Sequence, residues 1–252
     1  MALTAIIAGT GFNKIDDIKL EEQIINTPYG SVRIHMFSDR NIVFINRHNM
    51  EHNIPPHKVN YKANMMALSM LGVKKILAAF AVGSINLDLK PGSLALLSDF
   101  LDFTKGRDNS FFNGDDSGVV HVDMSSPFCP VLSKSLLDSA PEFGFKLYPD
   151  NTYVCTEGPR LETPAEIRMF RMLGGDVVGM TCVPEVFLAK ELDIQYAAVG
   201  LSINWAAGID KSSINFITDS LDDVKRKVIK LFIKTLQTQT VLDLDYNLQK
   251  IG

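Results

Sequence analysis

Runs of apolar, β-branched residues alternate along this chain with stretches whose apolar positions recur every three or four residues. The runs AIIAG (5–9), VRIHMF (32–37), NIVFIN (41–46), KILAAFAVG (75–83), SLALLSDF (93–100), TYVC (152–155), DVVGM (176–180) and QYAAVGLSIN (195–204) predict strands. Several are apolar at every position, as strands covered on both faces are. Helical spacing marks 57–72, 129–144, 163–175, 183–193 and 219–239, and the last puts Leu221, Val224, Val228, Leu231 and Phe232 on one face. Thr163-Pro164 followed by Glu166 reads as a helix start, with Thr163 as cap, Pro164 at the first helical position and Glu166 closing a capping box. Gly72 and Gly174 stand where helices end. Strands alternating with helices over the whole length predict an α/β protein: a single-domain α/β/α sandwich over residues 1–252, around a mixed, largely parallel sheet. The most loop-like stretch is 103–119 (FTKGRDNSFFNGDDSGV), and a long polar loop on such a scaffold is often functional.

Composition narrows the classes without choosing among them. Lys and Arg number 25 against 29 Asp and Glu, a net charge of −4 with no basic stripe, so no nucleic-acid partner is expected. Cys129, Cys155 and Cys182 are odd in number, widely spaced and form no C-x-x-C, which argues against a disulfide framework or a metal site and fits a reducing cytosol. The apolar start MALTAIIAGTGF lacks the basic region and cleavage site of a signal peptide. The run ILAAFAVGSI at 76–85 is far short of the ~20 residues of a membrane span. A cytoplasmic protein without a membrane partner is expected.

Ligands of open α/β sheets bind at the carboxyl ends of strands. After the predicted strands stand Thr10-Gly11, Arg47-His48, Gly83-Ser84, the segment TEGPRLETPAE (156–166), Thr181 and Asn204. An arginine fork, hydroxyls and glycine-rich backbone together suit an oxyanion such as phosphate. Singly each signal is weak: G-T-G after a strand is common, and a lone histidine is more often packed than catalytic. The three glutamates and one arginine of 156–166 read equally as a solvated loop or as a ligand-reading turn.

The segments RHNMEHNIPPHKVNYKANMMAL, AVGSINLDLKPGSLALLSDFLDFT, TEGPRLETPAE and GMTCVPEVFLAKEL closely resemble the trimeric purine nucleoside phosphorylase and methylthioadenosine phosphorylase family. The resemblance covers roughly residues 5–235, with 156–166 and 179–191 the most specific. It implies cleavage of the N-glycosidic bond of a purine nucleoside by inorganic phosphate, giving free base and a sugar 1-phosphate. Phosphate is then a co-substrate, and no metal or organic cofactor is called for, since positioning and electrostatics carry such a reaction. The resemblance places phosphate on Thr10, Arg47, His48, Thr181 and the backbone of Ala81, and packs Met180 against the ribose. It makes Glu162 and Asn204 the readers of the base, with Ala206 leaving room, and makes Asn204, Glu162 and His48 the candidate catalytic residues. Of the other charges in the segment, Glu166 is read as a cap and Glu157 and Arg160 as loop structure. A homo-oligomer, trimer or dimer of trimers, is implied.

Family members with Glu and Asn at these two positions act on 6-oxopurines, whereas adenine-specific ones carry Ser and Asp. The chemistry agrees: a 6-oxopurine offers an N1–H that the Glu162 carboxylate accepts, and its O6 accepts from the Asn204 amide. At the sugar's 5′ end, relatives acting on ordinary nucleosides place a histidine near the last helix. This chain has none after His121, and the aligned position is Ile217, an apolar wall suited to a methylthio group. His121 matches a histidine that approaches the methylthio group from a neighbouring subunit. One position departs from the family: Phe80 stands where Asn or Thr helps hold phosphate or ribose. The reading is a 6-oxopurine nucleoside phosphorylase of purine salvage, with 5′-methylthioinosine a candidate substrate. The alternatives are a 5′-methylthioadenosine phosphorylase, which Glu162 and Asn204 oppose, and a catalytically weak nucleoside-binding relative, which only Phe80 supports.

Overall fold

The fully apolar runs become the buried strands of a nine-stranded sheet in a computed structural model of the chain. It describes residues 3–9, 12, 20–37, 41–49, 51, 53–114, 118–210, 216–217, 221–238 and 248–251. The strands are β1 (Thr4–Ala8), β2 (Leu20–Thr27), β3 (Gly30–Phe37), β4 (Ile42–Asn46), β5 (Lys75–Ser84), β6 (Leu94–Phe103), β7 (Val119–Val122), β8 (Leu147–Thr156), β9 (Val177–Gly179), β10 (Gln195–Trp205) and β11 (Leu248–Ile251). The helices are α1 (Tyr61–Met70), α2 (Pro130–Ser139), α3 (Pro164–Met172), α4 (Glu185–Glu191) and α5 (Asp222–Thr238). The large sheet runs β10-β6-β8-β9-β5-β1-β4-β3-β2, and β10 also pairs in parallel with β5. β7 and β11 form a small sheet of their own.

Side chains alternate across each strand, so the central strands feed two cores. Ala5 and Ile7 of β1 join one cluster with α1 and α4, while Ile6 and Ala8 join a second with α2 and α5. Helices therefore cover both faces of a mixed sheet, the expected α/β/α layering. Each Leu, Ile, Val or Phe fully buried in these layers stabilises by about 1.5–3 kcal/mol. The amphipathic stripe of α5 lands as its spacing predicts, with Leu221, Val228, Leu231 and Phe232 buried and Val224 partly so.

Two irregularities open room at the carboxyl ends of the strands. The β1–β5 ladder stops at Ile7 opposite Ala78, while β5 continues to Ser84. The β5–β10 ladder shifts register between Ser202 and Asn204, a bulge of the kind that re-aims a side chain.

Local chemistry sets the element ends. The helix predicted from 57 begins at Tyr61 because Pro56–Lys58 is a 3-10 turn, and Asn60 caps α1 by accepting from the Ala63 N–H. The stretch 129–144 is α2 followed by a 3-10 turn at Ala140–Phe143, where Pro141 supplies no N–H, and Gly144 closes it at φ 76°. α3 starts with the predicted box: Thr163 accepts from the Glu166 N–H and the Glu166 carboxylate accepts from the Thr163 N–H. Strands β2, β7 and β11 were not predicted; β2 reads LEEQIINT and is exposed at most positions.

Candidate active site

A cavity of about 480 Å³ opens at the carboxyl ends of β1, β4, β5, β9 and β10. Among its lining residues are Arg47, His48, Phe80, Ala81, Glu162, Met180, Thr181, Asn204 and Ala206, nine of the residues singled out from sequence. Thr10 lies outside the described residues, but Gly9 just before it lines the cavity. A Cβ on Gly9 would come within 3.2 Å of the His48 ring and 3.7 Å of Arg47 Nη1, so a glycine there lets the chain pass close to both.

Arg47 follows β4 and is fully buried against Glu185 of α4. Its Nε donates to Glu185 Oε2 at 2.6 Å and its Nη2 to Oε1 at 2.7 Å, while Nη1 donates to the Ala79 carbonyl at 2.8 Å. Burial works against a charge here, but the Glu185 carboxylate outweighs it and holds the guanidinium ionised above its ordinary range. Tyr196 adds a hydrogen bond to Glu185 Oε1 at 2.6 Å. One face of the guanidinium lies 4.2 Å from the centroid of the Phe80 ring, within cation–π distance. The same ring packs 5.3 Å from that of Tyr153. Phe80 thus lines the cavity as a support for Arg47 and offers no hydrogen bond of its own. One N–H on Nη1 and one on Nη2 remain for an anion.

Beyond Ala78 the β5 edge has left β1. Ala79 turns its carbonyl to Arg47, and the backbone of Ala81, two residues on, points the same way. His48 Nδ1 lies 2.7 Å from the Ile54 carbonyl; as the N–H partner, that ring nitrogen leaves Nε2 toward Gly9. Thr181, after β9, is held by its N–H donating to the Tyr153 hydroxyl at 3.3 Å.

The second group of polar residues comes from the segment 156–166 and from β10. Glu162 accepts from Thr156 Oγ1 at 2.6 Å, and Pro159 and Leu161 join it in the cavity wall. Arg160 turns away and forks onto Glu166 at 2.7 and 2.9 Å, which leaves the cavity to Glu162 alone among the segment's charges. Glu157 accepts from the Lys105 N–H at 2.8 Å and from Arg107 Nε at 3.1 Å. Asn204, past the bulge, donates from Nδ2 to the Trp205 carbonyl at 2.7 Å and sits beside Gly83. Met180 packs on Gly158, whose φ of 67° favours glycine and whose missing Cβ leaves room for the Met180 sulfur.

One expected residue lies outside the lining. Ile217 packs on the core shared with α2 and α5, its N–H donating to the Ile203 carbonyl at 3.0 Å, and the neighbouring Phe216 is the residue that lines the cavity. The apolar wall is therefore made by Phe216 and Ile203. His121 is exposed on β7, outside the cavity of its own chain. Glu185, Tyr196, Thr156 and Arg107 were missed. Only Glu185 carried a signal: a single carboxylate inside the apolar run CVPEVFLA, which can be buried only with a partner.

The sequence profile of the phosphorylase superfamily matches residues 4–237. The chain is 48% identical over 233 residues to a probable 6-oxopurine nucleoside phosphorylase of Dictyoglomus turgidum, covering 90% of this chain and 88% of that one. It is 45% identical over 242 residues to a probable S-methyl-5'-thioinosine phosphorylase of Methanopyrus kandleri, covering 94% and 93%. The methylthioadenosine phosphorylase of Schistosoma mansoni in complex with tubercidin superposes with a TM-score of 0.86 at 28% identity, covering 95% of this chain and 93% of that one. With its profile spanning nearly the whole length and its strand ends opening on a shared cavity, this chain belongs to the phosphorylase superfamily.

Proposed function

We propose that the chain is a purine nucleoside phosphorylase acting on 6-oxopurine nucleosides, 5′-methylthioinosine among them. The observation that carries this is the joint presence in one cavity of Arg47, braced for an anion, and of Glu162 with Asn204, suited to a 6-oxopurine edge. The names of the relatives from Dictyoglomus turgidum and Methanopyrus kandleri support the same substrate class.

In this reading phosphate sits against the free N–H groups of Arg47, with His48, Thr181, Thr10 and the Ala81 backbone, beneath C1′. The C1′–N9 bond breaks with its electron pair leaving on the purine, and a phosphate oxygen forms the new bond to C1′. The sugar passes through an oxocarbenium-like state. Glu162 accepts from N1–H, and the Asn204 amide donates to O6 while its oxygen takes a hydrogen bond from N7 as that nitrogen gains a proton. A site built on such hydrogen bonds discriminates between bases by about 10⁴-fold. Inorganic phosphate is the co-substrate, with no metal or organic cofactor in the scheme.

The apolar wall of Phe216 and Ile203 favours a methylthio group at the 5′ position over a hydroxyl. The proposal extends to a cytoplasmic salvage enzyme working as a homotrimer or a pair of trimers, in which the exposed His121 of one subunit faces the cavity of another. The test is phosphate-dependent base release from inosine, adenosine and their 5′-methylthio analogues. Dominant hypoxanthine release is expected, fastest from methylthioinosine. Adenine release at equal rate would overturn the base assignment, and no phosphate dependence would overturn the reaction.

A further inference from the structure

Arg107 lies in the irregular polar stretch after β6, yet its side chain is only 5% exposed. All three of its nitrogens are engaged. Nε donates to the Glu157 carboxylate at 3.1 Å, and Nη1 donates to the Met180 carbonyl at 2.9 Å and to the Val183 carbonyl. Nη2 donates to the carbonyls of Thr156 at 3.3 Å and Glu157 at 3.0 Å. These acceptors belong to two separate segments, one following β8 and one following β9.

Both segments feed the cavity. Thr156, whose carbonyl Arg107 holds, donates from its hydroxyl to Glu162 at 2.6 Å. Met180, whose carbonyl Arg107 also holds, lines the wall where it packs on Gly158. Arg107 reaches the cavity through these two segments, and its Nη1 also donates to the Tyr61 hydroxyl at 3.4 Å; it is not itself part of the lining.

The loop has other ties as well. Ser110 Oγ and the Phe111 N–H both donate to Glu191, at 2.7 and 2.8 Å, and Lys62 pairs with Asp108 at 3.1 Å. The Phe111 ring also packs edge-on against Tyr29 at 5.3 Å. Among these ties Arg107 is the one that bonds both cavity segments. A planar fork with five donors spans two chain segments at fixed separation, which a lysine's single nitrogen does not.

We propose that Arg107 is a positioning residue for base recognition: one guanidinium sets the spacing between the segment that carries Glu162 and the segment that carries Met180 and Thr181. The proposal rests on Glu162 being the base reader.

The experiment compares the full-length protein with Arg107→Lys, Arg107→Ala and Glu162→Gln. It measures hypoxanthine release from the better of inosine and 5′-methylthioinosine, adenine release from the matching adenine nucleoside, and KM for phosphate. For Arg107→Lys a fall in kcat/KM for hypoxanthine release of about a hundredfold is expected, as for an ångström-scale misplacement of a binding group. The preference for hypoxanthine over adenine should fall with it, and KM for the nucleoside should rise more than KM for phosphate, whose site shares Thr181 on the held segment. Guanidinium ion added to Arg107→Ala should restore part of the preference. An equal loss on both bases, or an equal rise in the phosphate KM, would assign Arg107 to general stability and overturn the proposal. So would failure of both Arg107 variants to fold. If Glu162→Gln leaves the preference unmoved, the reader assignment itself is wrong; if it moves the preference while Arg107→Lys does not, only the positioning role falls.

Discussion

Arg47 and Glu185, 138 residues apart in sequence, meet as a two-pronged ion pair with both side chains fully buried. The strongest cation in the cavity is thus already neutralised by the chain. What it offers an incoming anion is directed N–H groups, held in place by a carboxylate on one edge and an aromatic ring on one face.

Glu185→Gln leaves the buried guanidinium without its counter-charge, and breaking such a pair costs about 3–5 kcal/mol. Thermal unfolding should show the loss. Because a phosphate dianion can stand in for the missing carboxylate, saturating phosphate should raise the midpoint of the variant more than that of the wild type. An equal shift in both would remove Arg47 from the phosphate site.

Asn204→Asp exchanges the amide donor for an acceptor and sets a carboxylate oxygen 2.7 Å from the Trp205 carbonyl, where Nδ2 now donates. Hypoxanthine release should drop by about 10²–10³-fold, the usual cost of one misplaced transition-state donor. Adenine release should rise relative to it. An unchanged ratio of the two bases would take Asn204 out of base recognition.

The α3 start makes a pH-dependent contribution. The Arg160 fork, then the Thr163 N–H, hold the Glu166 carboxyl down from 4.5 to about 2. A depressed folded pKa means the contribution is complete above about pH 4.5 and is lost as pH falls toward about 2. Wild type and Glu166→Gln should therefore differ in denaturant midpoint at neutral pH and converge in strong acid. Thr163→Ala, removing the other half of the box, should cost about 0.5–2 kcal/mol at neutral pH.

Cys129, Cys155 and Cys182 are free and buried. Burial pushes the Cys155 thiol up to about 12 and Cys182 well above its usual range, so neither forms the reactive thiolate near neutrality. Native protein at pH 8 should take up alkylating reagent at neither residue, and denatured protein at all three cysteines, read by mass spectrometry. Rapid labelling of Cys155 in the native state would contradict its burial.

The central layers were legible because β5 and β10 are apolar on nearly every residue, a pattern only a doubly covered strand tolerates. β2 was not, since a sheet-edge strand with charge on both faces has no alternation to read. Strand-end position pointed to Arg47, His48, Thr181 and Asn204, the family resemblance picked out Glu162, and all five line the cavity. Their supports were harder to read: Glu185 showed only as a lone carboxylate in an apolar run, and Arg107 gains its meaning from partners far away in sequence. Ile217 missed the cavity by one residue, because in an irregular segment no period fixes which neighbour faces inward.

The bulge between Ser202 and Asn204 has a bearing on how such a site changes over time. Asn204 takes its direction from an extra residue in the strand, so its orientation is fixed by backbone and is largely independent of which side chain stands there. A different polar residue would project to the same place, and a new base preference becomes reachable through single substitutions at 162 and 204. The scaffold that binds phosphate can stay untouched while the chemistry of the purine edge is rewritten.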